Sequence, residues 1–155
     1  MWFSRKQEIK TPPPAAGNSA PASSRQRTTK SRGDAGEAAA LAHLLRGGLK
    51  LVESNYRTPG RGGGEIDLIM RAADGTLVFV EVRQRAKASH GGAAASIGAV
   101  KQRRIVFAAR HYLMRFASLP PCRFDVVLVE GTPGNDEPEK PVLRIEWLRA
   151  AFDAS

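Results

Sequence analysis

Two short apolar segments, Gly64-Glu65-Ile66-Asp67-Leu68-Ile69 and Val78-Phe79-Val80-Glu81-Val82-Arg83, carry carboxylates inside their hydrophobic runs. A strand buried between two layers should not hold ionised Asp or Glu, because desolvating an unpaired charge costs several kcal/mol or more. A cation has to offset that cost. A divalent metal held by Asp67 and Glu81 does so, and the segment reads first as a metal-dependent active site. The simpler alternative is a structural salt bridge in which Arg83 alone neutralises the cluster.

The reading depends on register, since side chains alternate along a strand. The connecting sequence is Ala72-Ala73-Asp74-Gly75-Thr76. A two-residue Asp74-Gly75 turn sets Asp67 opposite Val82 and sends Glu81 to the other side of the sheet. A three-residue loop, Ala73 to Gly75, with Gly75 left-handed in a bulge, sets Asp67 opposite Glu81 and Glu65 opposite Arg83. That second register brings Ile66, Leu68 and Met70 against Val82, Val80 and Val78 and makes one face uniformly apolar, so it is preferred. Two facing carboxylates about 5 Å apart then repel by roughly 3 kcal/mol at an effective dielectric near 20. Either one is protonated or a cation sits between them.

The elements that must position this pair are also legible. Asp34, with Glu37 three residues on, is a variant capping box opening a helix whose stripe is Ala38, Leu41, Ala42, Leu44 and Leu45, and Gly47-Gly48 stops it. Residues 49–55 form a strand, 58–63 a glycine-rich loop, and the hairpin follows. After a polar loop over 84–95, Ile97, Lys101, Ile105, Ala108, Tyr112 and Phe116 mark a helix over about 96–117. Residues 123–130 have a buried-strand pattern, 131–141 form an acidic, Pro-rich loop, 142–145 a short edge strand, and 147–152 a terminal helical turn. The expected fold is α/β: an αβββαβ core in which a mixed sheet is flanked by helices. The second helix is long enough to make a parallel crossover between the third and fourth strands.

The chain has 155 residues, enough for one core, and a net charge of +9. Residues 1–33 carry seven Lys/Arg against one acid, a net of +6, which leaves +3 for the other 122 residues. The arm, with Pro12-Pro13-Pro14 and Ser23-Ser24, has no apolar period, and the expectation is a disordered basic arm over 1–33 and one domain over 34–155. No signal-peptide stretch or membrane-spanning run is present, so a cytoplasmic protein without membrane contact is expected. The single cysteine, Cys122, excludes an internal disulfide and a Cys-cluster zinc site, and His43, His90 and His111 lack ligand spacing.

Two helix residues extend the constellation. Glu37 lies on the inward stripe of the first helix, where it could join Asp67 and Glu81, although a first-turn Glu also stabilises a helix through its dipole. Lys101 begins the inward stripe of the second helix. It leads a basic run, Gln102-Arg103-Arg104, while Arg57, Arg61, Arg85 and Lys87 flank the strands. Charge runs usually serve as solvated faces, yet basic clusters beside a carboxylate pocket suit a phosphodiester backbone. Few aromatics are present, which favours backbone or shape recognition over base stacking.

Gly36-Glu37, the two hairpin strands, and Gly91-Gly92-Ala93 through Lys101-Gln102-Arg103-Arg104 closely resemble the YraN family of bacterial proteins over residues 34 to about 150. That family resembles the restriction-endonuclease-like, PD-(D/E)xK, superfamily and is close in pattern to archaeal Holliday-junction resolvases. The resemblance implies Mg²⁺- (or Mn²⁺-) dependent cleavage of DNA, including branched DNA, with a homodimer as the expected assembly. Asp67 and Glu81 take the two motif acids and Glu37 the additional helix acid, all three as metal ligands. The superfamily places Lys two residues after the second acid, where this chain has Arg83. An arginine stays charged and can orient and stabilise but not give up its proton. Either Arg83 is an electrostatic clamp, or Lys101 takes the role from the helix, or catalysis is weak or absent. Arg57, Arg61, Arg85, Arg103 and Arg104 would hold the DNA backbone. The alternative is a non-catalytic nucleic-acid-binding module on the same fold.

Overall fold

The computed structural model describes residues 29–85, 97–131 and 143–154. The elements are α1 (Thr29–Arg46), β1 (Lys50–Arg57), β2 (Glu65–Arg71), β3 (Leu77–Arg85), α2 (Ala99–Leu113), β4 (Cys122–Gly131) and β5 (Leu143–Phe152). The strands form one sheet in the order β1-β2-β3-β4-β5. Only the β3–β4 pair is parallel, joined through α2 as the spacing predicts; the other three pairs are antiparallel. The αβββαβ core is therefore present, with a fifth strand added at its far edge.

The hairpin takes the bulged register. Its ladder runs from Arg71 opposite Leu77 to Leu68 opposite Val80. Ala72 N–H donates to Thr76 O and Gly75 N–H to Ala72 O, leaving Ala73 to Gly75 as the loop with Gly75 at φ +89°. Only a residue without Cβ adopts that conformation at no steric cost. Asp74 accepts the Thr76 N–H at 2.9 Å, which pins the loop and holds its own carboxyl below the usual carboxylate range.

Each face of the sheet is covered by one helix. Ala40 and Leu44 of α1 pack on Leu68, Met70, Val78 and Val80, with Val82 beside them. On the other face Ile105, Ala108, Ala109 and Tyr112 of α2 pack on Ile69, Leu77, Phe79 and Phe124. Complete burial of Ile69, Leu77 and Phe79 contributes roughly 1.5–3 kcal/mol apiece. Ile66 departs from the expected alternation. It belongs to the α2-side cluster, opposite Tyr56 of β1 and next to Asn55 at φ +54°, so the apolar match with Val82 does not extend to it.

Three boundaries also differ from expectation. Helix α1 starts at Thr29, so Asp34 is an exposed mid-helix residue and not a cap; Gly33, which costs a helix about 1 kcal/mol, does not stop the Ala-rich segment from propagating backwards. Helix α2 ends at Leu113 and tightens into i to i−3 bonds from Met114, Arg115 and Phe116. The expected helical turn over 147–152 is instead the second half of β5. Its cause is a long-range anchor. The fully buried Asp125 accepts the Trp147 indole N–H at 2.9 Å and the Ala150 N–H at 2.9 Å, with Ala150 at φ +48° and a register shift between Phe124 and Val126. Among the described residues no helix is long and apolar enough to cross a membrane.

Candidate active site

The hairpin delivers Asp67 and Glu81 to one place at the end of its ladder. Both are buried, at 9 % and 6 % exposure. Asp67 Oδ2 accepts the Val82 N–H at 2.8 Å, which ties the acid of β2 to the backbone of β3 one residue beyond Glu81. Glu81 itself stands next to Val126 in the parallel β3–β4 ladder, with Arg83 next to Leu128, and Ile97 packs on both apolar partners. Lys101 Nζ lies 3.3 Å from Glu81 Oε1, while the buried Oε2 has no N–H donor and the carboxyl's remaining neighbour is Asp67, to which it can hydrogen-bond when protonated. Burial, reinforced by the charge of Asp67 and opposed by Lys101, pushes the Glu81 carboxyl up to about 8.

Lys101 reaches Glu81 because it occupies the inward stripe of α2, one turn before the buried Ile105. A half-exposed ammonium on a flexible stem meets one oxygen and leaves the other to Asp67. Sequence reading put a divalent metal first and a salt bridge from Arg83 as the alternative; the side chain seen against Glu81 Oε1 is Lys101 of α2.

Glu37 approaches from α1. It is half-buried, and its carboxyl is raised above the usual range by burial first, then by Asp67, Asp34 and Glu65. Gly36 lets α1 pass close over β3, since a methyl there would collide with the Gln84 side chain. Glu37 therefore shares the field of Asp67. Among the described residues, however, no three His, Cys, Asp or Glu side chains come together as a ready-made metal cage. The site consists of two buried carboxylates with a third nearby.

The basic residues divide into two groups. Thr58 and Gly64 close the neck of the glycine-rich loop: Thr58 N–H donates to Gly64 O at 3.1 Å, and Gly64 N–H donates to Thr58 Oγ1 at 2.8 Å. A Cβ on Gly64 would collide with the Arg104 carbonyl, so the start of β2 touches the backbone of α2 directly. Topology puts this neck, the carboxyl end of β3 with Arg83 and Arg85, and the amino-terminal half of α2 at one end of the sheet. Arg57 stands there opposite Glu65 in an exposed ion pair of 3.4 Å, and Arg61 is exposed in the loop between two left-handed glycines, Gly60 and Gly62. Arg103, about 200° around the helix from Lys101, lies on the outer side of α2 and lines a groove with Phe107 and Arg110. Lys87, His90 and the segment 1–28 lie outside the described residues.

Sequence reading gave no role to four residues. Val126 stands next to Glu81 and Ile97 packs on Val126, a juxtaposition with no local signature. Gly64 had one, being the last glycine of its run immediately before a carboxylate-bearing strand. Asp125 carries the same signal as Asp67, an acid entering an apolar run, and resolves into a structural role.

Comparison with known proteins supplies the family. The model of "Uncharacterised protein family UPF0102" matches residues 36–129, a span holding Glu37, Asp67, Glu81 and Lys101. A UPF0102 protein of Polaromonas naphthalenivorans (strain CJ2) is 70 % identical over 155 residues, covering the whole of both chains. One from Acidovorax sp. (strain JS42) is 63 % identical over 129 residues, covering 83 % of this chain and 89 % of its own. One from Methylibium petroleiphilum is 66 % identical over 131 residues, covering 83 % of this chain and 98 % of its own. On this footing the chain belongs to the UPF0102 family, in agreement with its resemblance to the YraN proteins.

Proposed function

We propose that this protein is a metal-dependent endonuclease acting on DNA, with Asp67 and Glu81 at its centre. The observation that carries the reading is two buried carboxyls, Asp67 and Glu81, placed side by side with one half-exposed lysine against them. Such a pair either shares a proton, as the hydrogen bond between Glu81 and Asp67 allows, or holds a cation between its oxygens. The donor set suits a hard divalent cation. Mg²⁺ needs only one or two carboxylates, keeping water and substrate oxygens for its other positions, so the lack of a three-ligand cage is no obstacle. Asp67 and Glu81 would hold the ion, with Glu37 acting through water.

When bound, such an ion supplies positive charge to the phosphoryl transition state and acidifies the attacking water. The chain's own residues do the rest. Asp67 is oriented by the Val82 N–H and presents its other oxygen to the site. The raised Glu81 carboxyl holds a proton at neutral pH until a cation displaces it. Lys101 is half-exposed and already pointed at Glu81, so its ammonium can turn toward a scissile phosphate or the water. Arg83 stays charged and adds electrostatic stabilisation. Arg57, Arg61, Arg85 and Arg104 form the surface that would take the backbone on either side.

One observation favours a second reading. The Lys101–Glu81 ion pair is itself a neutralising device and suits a non-catalytic nucleic-acid-binding module. Cleavage assays on linear and branched DNA with Mg²⁺ or Mn²⁺ separate the two. The nuclease reading expects activity that falls at least about a hundredfold in Asp67→Asn and Glu81→Gln. DNA binding that weakens with salt, without cleavage under any of these conditions, supports the module instead.

A further inference from the structure

The outer side of α2 exposes Val100 (57 %), Phe107 (54 %) and Met114 (79 %). Their seven-residue spacing puts them on one stripe, since a helix drifts only about 20° per heptad. Arg103 and Arg110 recur at the same spacing between them. Beside the stripe runs a groove of about 460 Å³, lined by Val106, Phe107, Arg103 and Arg110 on the helix and by Asp153 and Ala154 on the other wall. Arg110 fixes that wall by donating to the Ala154 carbonyl at 3.2 Å. Large apolar side chains at helical period on an open concave face mark an interaction surface.

We propose that this face of α2 docks an acidic amphipathic helix of a partner protein. The occupant follows from charge and shape. The α2 sequence contains no Asp or Glu, so a second copy would set arginine against arginine. A phosphate-bearing strand would meet the arginines too, but Val100 and Met114 at the two ends of the stripe offer no surface on which successive bases can stack. A concave groove also does not insert into a bilayer. A helix with apolar residues at i, i+3/i+4 and i+7 lays a ridge into such a groove, and flanking carboxylates meet Arg103 and Arg110. The stripe from Val100 to Met114 is about 21 Å long, room for roughly four turns of a partner. Phe107, at its centre, is the anchor. The surface faces away from Lys101, so the inference stands independently of the nuclease reading.

The test uses the full chain and a fluorescein-labelled 21-residue synthetic peptide with Leu at heptad positions a and d and Glu at e and g. Matched peptides carry Gln or Lys in place of Glu. Because the protein is basic throughout, attraction to a Glu peptide alone is insufficient, and the site variants decide. The proposal expects saturable binding of the Glu peptide, weaker by about tenfold or more for the Gln peptide and in Phe107→Ser. It also expects preference to pass to the Lys peptide in Arg103→Glu/Arg110→Glu. These residues are exposed, and the melting temperature of each variant confirms its fold. Absence of saturable binding, wild-type affinity in Phe107→Ser, or no transfer of preference overturns the proposal. So does Phe107-dependent binding of oligo(dT) or phosphatidylglycerol vesicles in place of the peptide, or a Phe107-dependent dimer in light scattering.

Discussion

Glu81 of β3 and Asp125 of β4 are buried carboxylates in neighbouring strands of one sheet, both set in valine-rich runs. Their surroundings differ completely. Asp125 accepts from three N–H donors: Trp147 Nε1–H, Ala150 N–H, and the Arg123 Nε–H shared between both oxygens at 3.0 and 3.2 Å. Glu81 has one half-exposed lysine on one oxygen and, beyond that, only a second acid, Asp67, with which it can share a proton. A saturated carboxylate is a structural bolt, here holding β5 to the sheet. A buried one that meets only a flexible lysine and a second acid is, under the proposed function, a ligand held in reserve. Burial alone does not separate the two cases; the accounting of lone pairs does.

The sharpest way to break this contrast is to remove each acid and compare stabilities. Asp125→Ala strands two part-buried N–H donors and a guanidinium, and is expected to cost about 3–5 kcal/mol in chemical denaturation. Hydrogen exchange should show Leu143–Phe152 losing protection ahead of the rest of the sheet.

Glu81→Gln should act in the opposite direction, with a pH signature. The folded-state pKa of Glu81, about 8, lies above its unfolded value of 4.5, so the folded chain holds an extra proton between those limits. Its contribution to stability is complete below about pH 4.5 and is lost as pH rises through about 8. Wild type should therefore lose a few kcal/mol across that window relative to Glu81→Gln, which carries no ionisable group there. Equal destabilisation by the two substitutions at pH 8 would erase the distinction between bolt and reserve.

A smaller effect tests the frame around the site. Gly64→Ala places a methyl against the Arg104 carbonyl, which is backbone and cannot turn aside. A loss of about 1–3 kcal/mol is expected in thermal denaturation, as for other overpacked positions. A neutral outcome would mean that β2 and α2 do not fix each other's positions.

Much of this was legible in the sequence because local chemistry enforces it. The hairpin register follows from Gly75 and from the demand for one apolar face, and it brings Asp67 and Glu81 together. The inward pointing of Lys101 follows from its place four residues before Ile105. The long second helix makes the β3–β4 pair parallel. What escaped depends on contacts between distant segments. Residues 147–152 have a helix-compatible local pattern, and only Asp125, some 22 to 25 positions away, makes them a strand. Val126, which stands next to Glu81, comes from β4, and Ile97, which packs on Val126, from the residues just before α2. Ile66 left its expected face beside Asn55, a residue of a different strand in a left-handed conformation. The segment 1–28, and with it most of the proposed basic arm, lies outside the described residues.

The central claim is that Glu81 is held in reserve for a divalent cation, and Mn²⁺ titration by calorimetry tests it most directly. At pH 7 the carboxyl still carries a proton, so binding must expel it. The account predicts saturable binding whose heat scales with the ionisation enthalpy of the buffer at pH 7, loses that scaling near pH 9.5, and disappears in Asp67→Asn and Glu81→Gln. Absence of binding, or binding that survives both substitutions with no proton released, would contradict it.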